Sequence, residues 1–180
     1  KNPEETDKVL YAEGWFNTGD RGYFTKKGEL VITGREKDII VLSNGENINP
    51  NPIEGALLKS RYIETPIVTG QDWRLLGAYI VPRFERLKDY CDSQGIPFYE
   101  KDLEGTLRDG RIQSLFRTEI NSLVSREHGF QNYERIHAFS LLPSQFIPGR
   151  ELTHTLKPKR SEIDKIYAEQ HRKMSEEVNR

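Results

Sequence analysis

The sequence of 180 residues offers Cys91 no second cysteine. An intramolecular disulfide is therefore excluded, and the lone thiol fits a reducing compartment. His128, His137, His154 and His171 are far apart, and none stands at ligand spacing from Cys91 or another histidine. A metal centre has no support from such a pattern. No run reaches the ~20 apolar residues that a membrane span needs. Neither sign of charge is in excess: Lys and Arg total 27, Asp and Glu 28, for a net charge of -1. That balance argues against a nucleic-acid binder with a broad basic surface. Basic and aromatic residues are not interleaved, as a single-strand binder would require. Internal repeats and low-complexity stretches are absent. The chain also starts without Met or a signal peptide, on the polar lead Lys1-Asn2-Pro3-Glu4-Glu5. It reads as an excised part of a longer cytoplasmic protein, with peripheral membrane contact left open.

What the sequence does have is short apolar runs separated by turn signals, although apolar residues are only 35% and charged residues 31% of it. Gly14 to Asp20 is turn-rich. Tyr23-Phe24 and Glu29 to Thr33 read as strands joined by a Lys27-Gly28 turn, and Ile39 to Leu42 as a third apolar run. Asn44-Gly45 is a tight-turn signal. A helix is expected from Asn51 as N-cap, with Pro52 in the first position and Glu54 as a capping-box carboxylate. Strands are expected over 65–69 and 76–81, and a short helix over 84–91. Residues 105–110 read as a loop. Ile112, Leu115, Phe116, Ile120, Leu123 and Val124 form the most regular helical stripe, with Gly129 following as a stop. A strand is expected within 133–142, a loop around Pro143, Pro148 and Gly149, and a final helix from Ser161. Regular strand-helix alternation is missing, so the fold class is α+β, with a short, mostly antiparallel sheet flanked by helices.

Four features can carry chemistry. Asp20, in Thr18-Gly19-Asp20, places a carboxylate at a glycine turn, where it can accept two hydrogen bonds from a vicinal diol such as a ribose. Such a tripeptide also serves as a purely structural turn. Gly34-Arg35-Glu36-Lys37-Asp38 packs charges between two apolar runs and reads equally as a solvated connector. Gly45 allows close backbone approach to a ligand, or simply closes a hairpin. Thr153 to Arg160 holds Lys157, Lys159 and Arg160 beside threonines. This cluster suits a phosphate or carboxylate, since an ammonium can neutralise charge on a transferring group. A solvated basic loop or a small nucleic-acid patch would look the same.

In this order, the segments resemble the C-terminal motifs of the adenylate-forming superfamily, which includes acyl- and aryl-CoA synthetases, nonribosomal adenylation domains and luciferases. Phe16 to Asp20 looks like its aromatic-x-T-G-D motif. Gly34 to Asp38, followed by Gly45-Glu46-Asn47-Ile48-Asn49-Pro50 and Ile53-Glu54, looks like G-R-x-[DK]-D…G-x-x-I-x-P…I-E. Thr153 to Arg160 looks like T-x-x-G-K-x-x-R, with Lys157 at the family lysine. Leu42 to Asn47 and Thr155 to Arg160 look most like long-chain fatty acyl-CoA and acyl-carrier-protein synthetases.

The resemblance implies a ligase that turns ATP and a long-chain fatty acid into acyl-AMP, then passes the acyl group to the thiol of CoA or an acyl-carrier protein. It implies that Asp20 and Arg35 bind the nucleotide ribose, that Lys37 is the hinge, that the Gly45 loop lines the thiol channel, and that Lys157 is catalytic in adenylation. Residues 1–36 would be the trailing edge of a large N-terminal domain and 37–180 a mobile C-terminal domain. Mg2+ would accompany ATP, held mainly by that N-terminal domain, and the part by itself would be inactive. Two departures stand out: Leu156 where many members have Gly, and a stretch over 83–132 longer than a minimal C-terminal domain needs. Arg108, Arg111, Arg117 and Arg126 in that stretch leave open a non-catalytic module that binds an acidic partner through its basic loop and helix.

Overall fold

The computed structural model describes residues 2–180; Lys1, the first residue of the polar lead, lies outside them. The chain divides into two compact units, one ending at Ile39 and the other running from Ile40 to Arg180.

In the first unit, no element is expected from the polar lead, yet Pro3–Val9 forms helix α1. Pro3 sits in its first turn, where a fixed φ suits the helix and a missing N–H costs nothing. The Thr6 hydroxyl donates to the Asn2 carbonyl at 3.0 Å and closes that turn. Strands β1 (Asp20–Phe24) and β2 (Leu30–Arg35) pair antiparallel, as expected of the two apolar runs. Their register sets Asp20 opposite Arg35 at the open end of the hairpin. A single 3-10 turn, Glu36–Asp38, follows.

The second unit starts with β3 (Ile40–Val41) and β4 (Asn47–Ile48), a short antiparallel pair closed by the Asn44-Gly45 turn. Helix α2 covers Pro50–Leu57. Its N-cap is Asn49, not Asn51: the Asn49 side chain accepts the Asn51 N–H at 3.2 Å, and Pro50 takes the first-turn position. The cap-then-proline signal occurs twice in Asn49-Pro50-Asn51-Pro52, and the earlier copy is used.

The centre of the unit is a sheet ordered β5 (Ile63–Thr69), β6 (Leu76–Pro82), β7 (Ile136–Leu141). β5 and β6 are antiparallel, whereas β6 and β7 are parallel. Every residue of β6 is buried, as a central strand covered on both faces requires. Leu76, Ala78 and Ile80 join one apolar core with Ile53 and Leu57 of α2 and Ile112, Phe116 and Ile120 of the helix over 110–123. Tyr79 and Val81, on the opposite face, join another with Phe146, Ile163 and Met174. Each large side chain fully buried in these cores contributes about 1.5–3 kcal/mol. The fold is thus α+β, with β6–β7 the parallel exception in an otherwise antiparallel set.

Between β6 and β7 run α3 (Phe84–Gln94), α4 (Leu103–Leu107) and α5 (Gly110–Leu123). The expected loop over 105–110 holds the end of α4 and the start of α5. Asp102 and Asp109 cap these helices by accepting the Gly105 and Arg111 N–H groups, each at 2.8 Å, so Gly105 and Gly110 are tolerated inside first turns. α5 ends at Leu123, before Gly129, which instead follows a separate 3-10 turn. The expected final helix is two, α6 (Arg160–Ile166) and α7 (Ala168–Val178), broken at Tyr167.

Candidate functional site

Asp20 and Arg35 are brought together by strand register. Arg35 Nε donates to Asp20 Oδ1 at 3.2 Å, and Arg35 Nη2 donates to the Thr18 carbonyl at 3.1 Å. The turn before Asp20 is knitted by its own side chains: Asn17 Oδ1 accepts the Gly19 N–H at 2.8 Å and Thr18 Oγ1 the Asp20 N–H at 3.1 Å. The Asp20 side chain remains 37% exposed and that of Arg35 40% exposed, so carboxylate lone pairs stay open to a hydroxyl-bearing ligand. Lys37 lies in the 3-10 turn directly after Arg35, with its side chain in solvent.

Gly45 and Lys157 belong to the second unit, on separate loops. Gly45 has φ of 87°, and its N–H donates to the Leu42 carbonyl at 2.8 Å. A Cβ there would meet nothing within 4 Å, so glycine is demanded by backbone conformation and not by crowding.

The loop of Lys157 is tightly self-bonded. Thr153 N–H donates to the Lys157 carbonyl at 2.8 Å, and the Lys157 N–H returns a bond to Thr153 Oγ1 at 3.0 Å. Leu156, between them, adopts φ of 61°. This is the left-handed conformation glycine takes freely, which explains how a loop that carries Gly in the resembled motif keeps its shape with leucine at a local strain.

The three cations of the loop have different fates. Lys159 Nζ donates to the Gly149 carbonyl at 3.0 Å. Arg160 grips Glu54 through both ends of its guanidinium, Nη1 to Oε1 at 2.8 Å and Nη2 to Oε2 at 3.0 Å. Its Nη1 also donates to the Val68 carbonyl at 2.9 Å, while Val68 N–H donates to Glu54 Oε1 at 2.8 Å. Lys157 alone is exposed, and its ammonium has no carboxylate or carbonyl partner among the described residues. Glu54 is therefore not a capping-box residue; it turns away from its own helix toward β5 and Arg160. Sequence reasoning missed this clamp because its halves lie 106 positions apart. It also missed Glu151, a loop carboxylate only 1% exposed, which no local pattern marks.

The arginines of the long stretch do not form a free basic face. Arg108 pairs with Glu104 at 2.6 Å and Arg111 with Asp109 at 2.9 Å, which holds the Asp109 carboxyl below its usual range. Arg126 donates to Asn132 Oδ1 at 2.9 Å. Arg117 donates to the His137 carbonyl at 2.8 Å and lies over the Phe139 ring at 4.6 Å. An acidic partner would have to displace these bonds, so the docking-module alternative gains nothing from them. Among the described residues, no group of three or more His, Cys, Asp or Glu is gathered as a metal site, and no helix is long and apolar enough to cross a membrane.

Comparison with known proteins fits this geometry. Residues 37–96 match the family model of the AMP-binding enzyme C-terminal domain. Long-chain-fatty-acid–CoA ligase 5 of Rattus norvegicus is 32% identical over 181 residues, covering 99% of this chain and 26% of that protein. The chloroplastic long-chain-fatty-acid–[acyl-carrier-protein] ligase AEE15 of Arabidopsis thaliana is 48% identical over 95 residues, 47% of this chain and 13% of that one. The chain thus spans about a quarter of its rat relative's length. Among solved structures, the A domain of carboxylic acid reductase from Segniliparus rugosus, in complex with AMP and a co-purified carboxylic acid, superposes with a TM-score of 0.78 at 26% identity, over 97% of this chain and 25% of that one.

Proposed function

Similar to a long-chain-fatty-acid–CoA ligase over 99% of its length, and matching the AMP-binding enzyme C-terminal domain at residues 37–96, the chain belongs to that family, and from that premise we propose that it is the C-terminal part of an AMP-forming long-chain fatty acid ligase. The reaction joins a fatty carboxylate to the α-phosphate of ATP, releasing pyrophosphate and leaving acyl-AMP. A thiol then attacks the acyl carbon, giving a thioester and AMP. CoA and the phosphopantetheine of an acyl-carrier protein are both candidate thiols, because relatives of both kinds are similar to this chain.

The observation that carries the reading is the freedom of Lys157. Its neighbours Lys159 and Arg160 are spent on carbonyls and on Glu54, so the loop presents one unneutralised ammonium on a fixed backbone. That is the arrangement needed to bridge a substrate carboxylate and an α-phosphate and offset the charge that gathers between them. Asp20 accepts the ribose hydroxyls, with Arg35 holding the carboxylate and facing the same nucleotide. Lys37 acts as the hinge, a role supported by its place in a one-turn segment beside the division between the compact units. On that reading, residues 1–36 trail from the large N-terminal domain and residues 37–180 form the mobile one. The Gly45 loop lines the thiol channel in the second half-reaction, so one site serves two steps in turn.

Mg2+ would accompany ATP, and its ligands are assigned to the N-terminal domain, which also supplies the acyl and adenine pockets. The part by itself is accordingly expected to be inactive. The proposed location is the cytoplasm, with peripheral membrane contact left open; fractionation of the full-length protein checks it.

The deciding experiment compares wild type with Lys157→Ala in the full-length ligase. ATP–pyrophosphate exchange driven by a long-chain fatty acid should collapse by about 100-fold or more, while thioester formation from supplied acyl-adenylate largely survives. Both activities near wild type would overturn the assignment of Lys157.

A further inference from the structure

The position of the Lys157 ammonium depends on the backbone that carries it, and that backbone is organised around one buried carboxylate. Glu151 is 1% exposed. Its Oε2 accepts the Ile147 N–H at 3.0 Å, where the loop begins. Its main-chain carbonyl accepts the Lys159 N–H at 2.8 Å, where the loop ends. Its Oε1 accepts the Tyr167 hydroxyl at 3.3 Å, at the break between α6 and α7, and has Arg150 Nε at 3.4 Å. Between these anchors, Leu152 bridges to both Pro148 and Pro158, and Thr153 closes on Lys157. One side chain and its own peptide thus fix both ends of the segment whose tip is Lys157.

A buried carboxylate is a poor way to gain stability, because desolvation cancels most of what its bonds return. Apolar packing at the same place would serve a merely structural loop as well or better. What the carboxylate adds is direction: two acceptor oxygens aimed at a loop amide and at a helix-joint hydroxyl allow one loop geometry and penalise others.

We propose that Glu151 is a positioning residue for adenylation, holding the 147–159 loop so that Lys157 is delivered to the α-phosphate. This rests on the role proposed for Lys157. A displacement of about 1 Å at such a group costs up to ~100-fold in rate, so a loosened loop should hurt the chemical step far more than nucleotide binding.

The test uses the full-length ligase with Glu151→Gln, which is nearly isosteric, and Glu151→Ala. Glu151→Gln should lower kcat for pyrophosphate exchange by about tenfold, with KM for ATP changed by less than about threefold. Thioester formation from supplied acyl-adenylate should stay near wild type. In the same variant, the Lys157 and Lys159 amides should exchange hydrogen faster than in wild type, and the amides of β6 should not. Glu151→Ala should exaggerate both effects; if it fails to fold, Glu151→Gln still decides. Unchanged loop exchange, or equal losses in both half-reactions, overturns the proposal. Lys157→Ala measured alongside separates the two readings. Intact exchange activity in Lys157→Ala removes the lysine's role and with it the purpose given to Glu151. Collapse there, with Glu151→Gln at wild-type rates, removes only the role of Glu151.

Discussion

Arg160 holds Glu54 by a two-pronged ion pair, 2.8 and 3.0 Å, that joins the loop of Lys157 to helix α2 across 106 positions of sequence. The two side chains are only 20% and 14% exposed, so neither charge is well hydrated if the other is lost. Two motifs that look independent in the sequence are therefore one structural object.

Arg160→Ala should destabilise the second unit by about 2–4 kcal/mol, since it strands the Glu54 carboxylate and frees the Val68 carbonyl. Glu54→Gln should cost less, because the amide oxygen still accepts. Urea unfolding of the two variants and their combination gives the coupling directly; a change under about 0.5 kcal/mol for Arg160→Ala would contradict the clamp.

Asp20→Ala should behave in the opposite way. Its pairing with Arg35 is largely solvated, so unfolding stability should move by no more than about 0.5 kcal/mol. In the full-length ligase, kcat/KM for ATP should fall by about 10- to 100-fold, the loss expected of hydrogen bonds to a charged acceptor. Unaltered ATP dependence would return the Thr18-Gly19-Asp20 turn to a structural role.

Leu156 offers a test of backbone strain. The residue is 65% exposed, so its side chain contributes little burial. Leu156→Gly should leave melting within about 1 kcal/mol of wild type, with relief at φ of 61° offset by the more flexible unfolded chain. Leu156→Val should lower stability further and slow adenylation, because a β-branched residue tolerates that conformation worst. Equal behaviour of the two variants would show that the loop relaxes freely.

Alkaline pH should unfold the second unit through Tyr79. Burial, aided by the nearby Asp164 carboxylate that its hydroxyl contacts at 3.0 Å, pushes its pKa far above the ordinary 10.0. The folded pKa is raised, so this contribution is complete below about pH 10 and is lost as pH climbs beyond it, by about 1.4 kcal/mol per pH unit. Tyr79→Phe should be less stable at neutral pH and show a shallower decline above pH ~10. Urea midpoints across that range measure both.

The sequence made much of this legible where the signal was local. The β1–β2 hairpin, the Asn44-Gly45 turn and the stripe of Ile112, Phe116 and Ile120 follow from periodicity and turn chemistry within a few residues. The polar α1, the doubled cap before α2 and the short α4 were harder, because proline and aspartate caps can outweigh a weak apolar pattern. Within the site, Asp20 and Arg35 meet only because a register shift at Arg21–Gly22 moves the pairing by one residue, beyond the ends of the strands expected from the apolar runs. The roles of Glu54 and Glu151 are fixed only by what the rest of the chain brings to them. No window of sequence contains that information.

The parallel pairing of β6 and β7 has a consequence for how this domain can vary in length. Parallel neighbours cannot be joined by a tight turn, so the chain over 83–135 is the return path that their pairing demands. Residues added or removed in the loops that follow α3 or α5 change only the route. One residue inserted inside β6 would instead exchange the faces of Ala78 and Tyr79, turning each toward the wrong core. Homologous chains can therefore grow freely along the return path while the strand it serves keeps its count.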